Sequence, residues 1–190
     1  MIQDEGTSQV TMLTQFNVKQ VLKIFGKAGE LAMSTELEQV HSRKVFEPKH
    51  PHELSRKERS DALLYLMSVK EKHKGQIKGR GCADGRKQWL YMQKEETCSP
   101  AVAVESLLIS ATMAAYERRG TATVDIPGAF MQADMVGNVH VKLEGRLAEL
   151  LTKLDPKIYN EYLYSNNGKP NMYVKLKKAL YGTLQAIMLF

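Results

Sequence analysis

The sequence predicts an α+β fold, in which helices and strands do not alternate regularly. Helical periodicity dominates the first 60 residues and returns at residues 99–120. Hairpin and strand patterns occupy residues 62–92 and reappear after residue 121. Of the 190 residues, 43% are hydrophobic and 25% are charged, which is close to the average of globular proteins and excludes wholesale disorder or a fibrous repeat.

The first region, residues 1–60, is expected to be helical segments and a linker. Apolar residues at 28–40 recur at helical spacing, namely Leu31, Ala32, Leu37 and Val40. Residues 47–52 contain two prolines, each of which disfavours helix in the residue before it. This breaker-rich stretch therefore predicts a linker.

The second region, residues 61–98, is expected to contain a β-hairpin. Residues 64–69 and 76–82 are strand-prone, and a polar tip separates them. Asp84-Gly85 is a turn signal, because both residues tolerate left-handed conformations. Residues 89–92 then predict a further strand.

The third region, residues 99–190, mixes helices and strands. Residues 99–120 predict a helix, because Ser99 and Pro100 suit its first turn and Gly120 suits its end. Its apolar stripe consists of Val104, Leu107, Leu108, Ala111 and Ala115. The other expected elements are strands at residues 121–126, 139–144 and 173–176, a helix at 146–154 and a loop at 166–170.

The positive charge is concentrated in one segment. The chain has 27 basic and 21 acidic residues, and residues 70–94 hold eight of the basic ones but two of the acidic ones. This segment therefore carries the whole excess of +6. A focused basic stretch beside a neutral body favours a phosphate-rich partner. The alternative is a solvated hairpin face.

The composition also bears on the compartment. The most apolar stretch, residues 107–116, is too short for a membrane helix, which needs about 20 residues, and no secretory signal is visible. The two cysteines, Cys82 and Cys98, offer no disulfide framework and fit a reduced compartment. We therefore expect an intracellular protein with no membrane partner.

Asp125 is the residue best suited to chemistry. It is expected at the end of the strand at residues 121–126, before a proline-glycine turn, where rigid backbone can present a carboxylate as a magnesium ligand. The amides of Gly128 and Ala129 could face phosphate oxygens, and Phe130 could place its ring against a sugar. The alternatives are a capping or turn role for the aspartate and a core position for the phenylalanine.

Residues 123–134 resemble the first palm motif of copia-type retrotransposon reverse transcriptases, in which Asp is followed after three residues by Ala-Phe-Leu. Three further segments agree with that family in the right order: residues 78–80 with Lys-x-Arg, 96–100 with Glu-Thr-Phe-Ser-Pro, and 175–182 with Lys-Leu-x-Lys-(Ala/Ser)-Leu-Tyr-Gly. Upstream, Ala32, Met33 and Glu36 fit its Ala-Met-x-x-Glu helix. The resemblance covers residues 25–190.

The resemblance implies the fingers and partial palm of a right-hand polymerase, truncated before the thumb. Residues 61–98 would be a fingers-like β-hairpin region, and residues 99–190 would be the partial palm. The implied reaction is template-dependent nucleotidyl transfer from deoxynucleoside triphosphates, with an RNA or DNA template-primer as partner and Mg²⁺ as cofactor. Asp125 would be the first catalytic aspartate and a metal ligand.

The resemblance also implies the nucleotide-binding residues, which are Lys78, Arg80, Gly128, Ala129, Phe130, Tyr181 and Gly182. Lys78 and Arg80 would bond to the incoming triphosphate. Phe130 would be the steric gate that disfavours a ribose 2′-OH. The remainder of a polyprotein would be a further partner, in a cytoplasmic particle or the nucleus.

Two features depart from the family pattern. After Gly182 the family has Leu-Lys-Gln-(Ala/Ser)-Pro, whereas this chain has Thr-Leu-Gln-Ala-Ile. The family's remaining catalytic carboxylates belong to an Asp-Asp pair, and these 190 residues contain no such pair. We therefore expect a fragment of a longer polyprotein or a decayed element, which does not polymerise alone.

Other function classes fit the same residues. A non-catalytic nucleic-acid-binding module would use the basic segment at residues 70–94. A plain interaction domain would show no salt-dependent binding to a primer-template. His50 and His52 lack a suitably spaced third ligand for a metal site, and Asp134 is expected to be a supporting or turn residue.

Overall fold

The computed structural model describes residues 18–72, 75–90, 92 and 102–189. These residues form the predicted α+β fold around a six-stranded mixed sheet. The helices are α1 (Val18–Ser42), α2 (Arg56–Asp61), α3 (Val104–Tyr116), α4 (Arg146–Leu154), α5 (Pro156–Tyr159) and α6 (Ala186–Leu189). The strands are β1 (Phe46–Lys49), β2 (Leu63–Glu71), β3 (Ile77–Ala83), β4 (His140–Glu144), β5 (Tyr164–Asn166) and β6 (Lys169–Leu176). Single 3₁₀ turns cover Gly85–Leu90, Ala129–Gln132 and Asn160–Tyr162.

The strands of the sheet follow the order β1-β6-β4-β2-β3, and β5 also pairs with β6. Strands β2 and β4 are parallel, and the other paired strands are antiparallel. The sheet therefore takes strands from each of the three regions, residues 1–60, 61–98 and 99–190. Among the described helices, none has the length and apolar character needed to span a membrane.

Helix α1 contacts β2, β3 and α4, and its buried face confirms the helix predicted at residues 28–40. The buried side chains recur at helical spacing and include Val21, Met33, Leu37 and Val40. Leu31 was expected on this face, but it is 68% exposed. It lies two residues from Met33, which places it about 200° around the helix axis and therefore on the solvent side.

Strands β2 and β3 form the predicted hairpin. In β2, side chains alternate between a buried and a more exposed face, as a half-buried strand requires. Ser68 lies opposite Arg80, and Lys70 lies opposite Lys78. The outward face of the hairpin is therefore polar and basic near its tip, and it carries the exposed Leu64 and Leu66 farther along β2.

The C-terminal residues supply much of the remaining core. Strand β4 buries Val141 and Leu143, as the alternation predicts, but it also buries His140, which the alternation places on the outward face. Helix α4 has the predicted bounds and buries Leu147, Leu150 and Leu151. The predicted loop at residues 166–170 is wrong in detail, because it is a tight hairpin turn between β5 and β6. Asn167 and Gly168 form this turn with φ values of 52° and 73°.

The strand predicted at residues 89–92 is wrong. Gly85–Leu90 is instead a 3₁₀ turn, anchored by Gln88, whose buried side chain accepts a backbone N–H from the chain after β6 at 2.8 Å. The N–H of Ala83, the last residue of β3, donates to the carbonyl of Tyr181 at 2.7 Å. The chain after β6 thus takes the place beside the end of β3 that a further strand would need.

Helix α3 confirms a helix within residues 99–120, but its environment differs from the prediction. None of its residues is buried, and Leu107 of the predicted apolar stripe is 64% exposed. The left-handed residue after the helix is Arg118, with φ 54°, and not Gly120. Ser99, the predicted cap, lies outside the described residues.

The strand predicted at residues 121–126 is wrong as well. These residues are exposed and have no strand assignment, and no backbone hydrogen bond joins them to a described strand. Strand formation depends more on a pairing neighbour than on intrinsic propensity, and this segment has no such neighbour within the described ranges. Asp125 is therefore held by the turn that follows it rather than by a strand before it.

Candidate functional site

The predicted site residues meet at a cleft of about 470 Å³, here called the basic cleft. Its walls come from the β2–β3 hairpin, from α1, from the segment around Asp125 and from Tyr181. Its cationic lining residues are Lys70, Lys72, Lys78 and Arg80. Five of the eight predicted site residues line it, namely Lys78, Arg80, Asp125, Gly128 and Tyr181.

The register of the hairpin brings the cations together. Successive side chains of a strand point to opposite faces, so Gly79 and Gly81 face inwards while Lys78 and Arg80 are exposed. Lys78 lies directly opposite Lys70. Directly opposed like charges destabilise a strand pair, and an anion bound between them would offset that cost.

The hairpin cations are not neutralised by neighbouring acids. In the part of the chain that the structure describes, no ion pair within 4.0 Å includes Lys70, Lys72, Lys78 or Arg80. The cleft therefore carries a concentrated positive charge, which attracts anionic ligands.

Helix α1 fixes the position of β3. A Cβ on Gly79 would lie 2.7 Å from the carbonyl oxygen of Ala32, so the helix backbone and the strand approach as closely as glycine allows. A Cβ on Gly81 would overlap the hydroxyl of Tyr65. The N–H of Gly81 donates to Oε1 of Glu36 at 2.9 Å. The strand is therefore packed and hydrogen-bonded against α1, with its cations on the opposite face.

Asp125 is exposed and lines the basic cleft. The turn after it is held from the end of α1, because Nη2 of Arg43, the residue directly after the helix, donates to the carbonyl oxygen of Pro127 at 3.0 Å. Gly128 has the left-handed backbone angles φ 62° and ψ 39° and caps the 3₁₀ turn Ala129–Gln132. The expected proline-glycine turn is therefore present, although the strand before it is not.

Tyr181 connects two of the predicted residues. The guanidinium carbon of Arg80 lies 5.0 Å from the centroid of the Tyr181 ring, which is a cation–π arrangement. The rings of Phe130 and Tyr181 have centroids 4.8 Å apart. Phe130 thus packs against a residue that lines the basic cleft but does not line it itself, and its role as a steric gate stays a prediction.

Gly182 and Ala129 also lie outside the lining of the basic cleft. Gly182 has φ 86°, and a Cβ there would overlap the carbonyl oxygen of Ala83. Its contribution in this structure is a close backbone contact that places Tyr181 beside the end of β3. Ala129 follows the capping Gly128 and is partly buried.

Burial and neighbouring charges shift the pKa values of several groups around the hairpin. Burial raises the pKa of the Cys82 thiol, and the nearby Arg80 opposes this only in part, so the thiol stays protonated at neutral pH. Burial also raises the pKa of Tyr65, whose hydroxyl has no hydrogen-bond partner among the described residues. The ammonium of Lys178, 2.7 Å from Asp134, lowers the pKa of that carboxyl by hydrogen bonding. Asp134 is thus an ion-paired residue outside the lining of the basic cleft.

The donor set does not fit a pair of magnesium ions. The carboxylates that line the basic cleft are Asp125 and Glu36, and Glu36 already accepts the N–H of Gly81. Within the described ranges, no three His, Cys, Asp or Glu residues are grouped so that they could hold a metal. The rings of His50 and His52 stack on each other, but these two residues are not part of such a group. The cleft's own residues support the binding of an anion.

Sequence reasoning did not assign Lys70, Lys72, Arg43 or Gln39 to the site. The two lysines belong to the basic segment, and pairing the hairpin strands in register would have placed Lys70 beside Lys78. Arg43 and Gln39 carry no local signal, because their position depends on how α1 packs.

No protein-family model matches this chain, and neither a curated protein nor a solved structure is significantly similar to it.

Proposed function

We propose that this chain is the fingers and partial palm of a copia-type reverse transcriptase, and that the basic cleft binds the triphosphate of a deoxynucleotide. The observation that carries the proposal is the convergence of three distant motifs. Lys78 and Arg80, Asp125 and Gly128, and Tyr181 come from separate segments of the sequence, and they line the same cleft. The resemblance implies that these residues bind one nucleotide, and their meeting at one cleft supports that expectation.

The chemistry of the basic cleft suits a polyphosphate. Lys78 and Arg80 can form charge-assisted hydrogen bonds to phosphate oxygens, and Lys70 adds charge from the opposite strand. A bound anion would relieve the repulsion between the opposed lysines. Asp125, exposed at the same cleft, would be the first catalytic aspartate, and other parts of a polyprotein would supply the further carboxylates. An intracellular location, in a cytoplasmic particle or the nucleus, belongs to the same proposal.

A second candidate is a nucleic-acid-binding module without catalysis. It is favoured by the exposed, unneutralised cations of the hairpin, since phosphate contacts supply most of the non-specific affinity for nucleic acids. Such a module would bind a primer-template through Lys78 and Arg80 without needing Asp125. It would not need a pocket for a single nucleotide.

Isothermal titration calorimetry with dTTP, in EDTA, tests the first proposal. The double variant Lys78→Ala with Arg80→Ala is expected to bind dTTP at least about a hundredfold more weakly, because each charge-assisted bond contributes about 1.5–3 kcal/mol. The matched control is Arg56→Ala with Lys57→Ala, which removes the same charges from the exposed face of α2. The control is expected to bind within about twofold of the unmodified chain, since exposed distant charges are largely screened.

Fluorescence anisotropy with a primer-template distinguishes the two candidates. If the unmodified chain binds no dTTP but binds primer-template in a salt-dependent way, the nucleotide proposal fails and the binding module remains. In that case Asp125→Ala should leave the primer-template affinity unchanged. An equal loss of affinity in the hairpin double variant and its control would contradict both candidates.

A further inference from the structure

One face of α1 contacts both walls of the basic cleft. Glu36 and Gln39 of α1 line the cleft, and Arg43, the residue directly after the helix, borders it. The N–H of Arg43 donates to the carbonyl oxygen of Gln39, which continues the helical hydrogen-bond pattern, so these residues, spaced by three, four and seven positions, lie on one side. Glu36 and Arg43, at the two ends of this set, hydrogen-bond to different segments of the chain. The last turns of α1 and the hydrogen-bonded Arg43 after them together span about 10.5 Å, which is a rigid separation between the two contacts.

The first contact holds the cationic strand. Oε1 of Glu36 accepts the N–H of Gly81, the residue next to Arg80, at 2.9 Å. A charged acceptor makes this a strong bond, and the close approach of Gly79 to the α1 backbone restricts the strand further. The position of Arg80 in the cleft is therefore set from α1.

The second contact holds the turn that carries Asp125. Nη2 of Arg43 donates to Pro127 O at 3.0 Å. A Cβ on Gly128 would lie 2.9 Å from the guanidinium carbon of Arg43 and 3.1 Å from Nε2 of Gln39, so the turn packs directly on these side chains. The described residues around Asp125 do not belong to a strand, so the sheet does not hold this turn in place. The contact with Arg43 and Gln39 holds it instead.

We propose that α1, together with Arg43 at its C-terminal end, is a two-point spacer that sets the width of the basic cleft, with Glu36 and Arg43 as positioning residues for its two walls. The inference rests on the proposed binding of a nucleotide triphosphate in the cleft. Neither residue needs to touch the ligand. Their role is to keep Arg80 and the Asp125 turn at the separation that a bound triphosphate requires, because small displacements of binding groups lower affinity steeply.

Two variants of Glu36 distinguish the effect of losing its hydrogen bond to Gly81 from the effect of losing its negative charge. Glu36→Ala and Glu36→Gln both remove a negative charge from a cationic cleft, which by itself would strengthen the binding of dTTP. Glu36→Gln keeps an oxygen that accepts the Gly81 N–H, so it is expected to bind dTTP at least as tightly as the unmodified chain. Glu36→Ala lacks that acceptor and is expected to bind about tenfold more weakly. Equal affinities of the two variants would overturn the proposal.

Arg43→Ala tests the second contact and does not depend on the first. Its dTTP affinity is expected to fall about tenfold, and the fall should persist at 0.5 M salt, where a long-range charge effect is largely screened (Debye length about 4 Å). In the ligand-free protein, the ¹H–¹⁵N signals of Gly128 and Ala129 should shift, while Lys23→Ala, which removes a cation elsewhere on α1, should leave them in place.

The possible failures are distinguishable. If the unmodified chain binds dTTP and Arg43→Ala binds it equally well, the spacer is wrong and the proposed function stands. If the unmodified chain binds no dTTP, the proposed function fails, and the spacer fails with it as a determinant of nucleotide binding. Thermal unfolding of each variant identifies any loss of affinity that comes from a loss of folded protein.

Discussion

Gly182, in the chain after β6, lies in close backbone contact with the end of β3. Its φ of 86° is a left-handed conformation, and a Cβ there would overlap the carbonyl oxygen of Ala83. Two requirements thus fall on one residue: a backbone angle that favours glycine and a contact that leaves no room for a side chain. The neighbouring Tyr181 is positioned by this contact, and through it the aromatic wall of the basic cleft is set.

Gly182→Ala is expected to destabilise the fold by about 2–4 kcal/mol, because the left-handed angle costs about 1 kcal/mol and overpacking adds about 1–3 kcal/mol. Gly168→Ala is the matched control, since Gly168 has φ 73° and nothing within 4 Å of its Cβ position, so it should cost about 1 kcal/mol. Gly120→Ala, with neither constraint, should change stability by less than about 0.5 kcal/mol. Urea unfolding measures all three. Equal costs for Gly182→Ala and Gly168→Ala would show that the Ala83 contact carries no energy.

At the scale of whole elements, α1 and α3 have opposite roles. Helix α1 buries one stripe against the sheet and holds both walls of the basic cleft. Helix α3 is more apolar in sequence, yet none of its residues is buried. Hydrophobic burial and not helix propensity supplies most of the stability of a helix in a folded protein, so α3 contributes little to the core around the sheet.

Comparing Leu107→Ala on α3 with Leu151→Ala on α4 measures the difference between truncating an exposed leucine and truncating a buried one. Leu107 is 64% exposed, so its truncation should change the free energy of unfolding by less than about 0.5 kcal/mol. Leu151 is fully buried, and its truncation should cost about 2–5 kcal/mol. Both substitutions keep good helix formers, which leaves burial as the difference. A cost for Leu107→Ala as large as that for Leu151→Ala would mean that α3 is packed in solution.

At the scale of the whole molecule, sequence patterns predicted the elements whose formation depends on the periodicity of neighbouring side chains. The alternation in β4, the amphipathic α4 and the hairpin of β2 and β3 follow from side-chain periodicity, and the structure confirms them. The strand expected at residues 121–126 is absent, and α3 buries none of its residues. Local patterns could not predict either outcome, because each depends on whether a pairing or packing neighbour is present.

The sequence likewise predicted some residues of the candidate site and missed others. Lys78, Asp125 and Tyr181 were singled out by motif, and the structure brings them to one cleft. Lys70 follows from strand register, which the sequence gives only once the hairpin turn is known. Arg43 had no signal in the sequence, because its partner is a backbone carbonyl 84 residues away, and that contact exists only after α1 has packed.

If three separate chain segments form one phosphate-binding cleft, as we propose, a ¹H–¹⁵N NMR titration of the 190-residue chain with dTTP will show it. We expect the amides of Arg80, Gly128 and Tyr181, one from each segment, to shift together along a single binding curve. The same titration with the unphosphorylated nucleoside should shift none of them, since the cleft's cations recognise phosphate. Shifts confined to the hairpin, or different binding curves for the three segments, would contradict a common site.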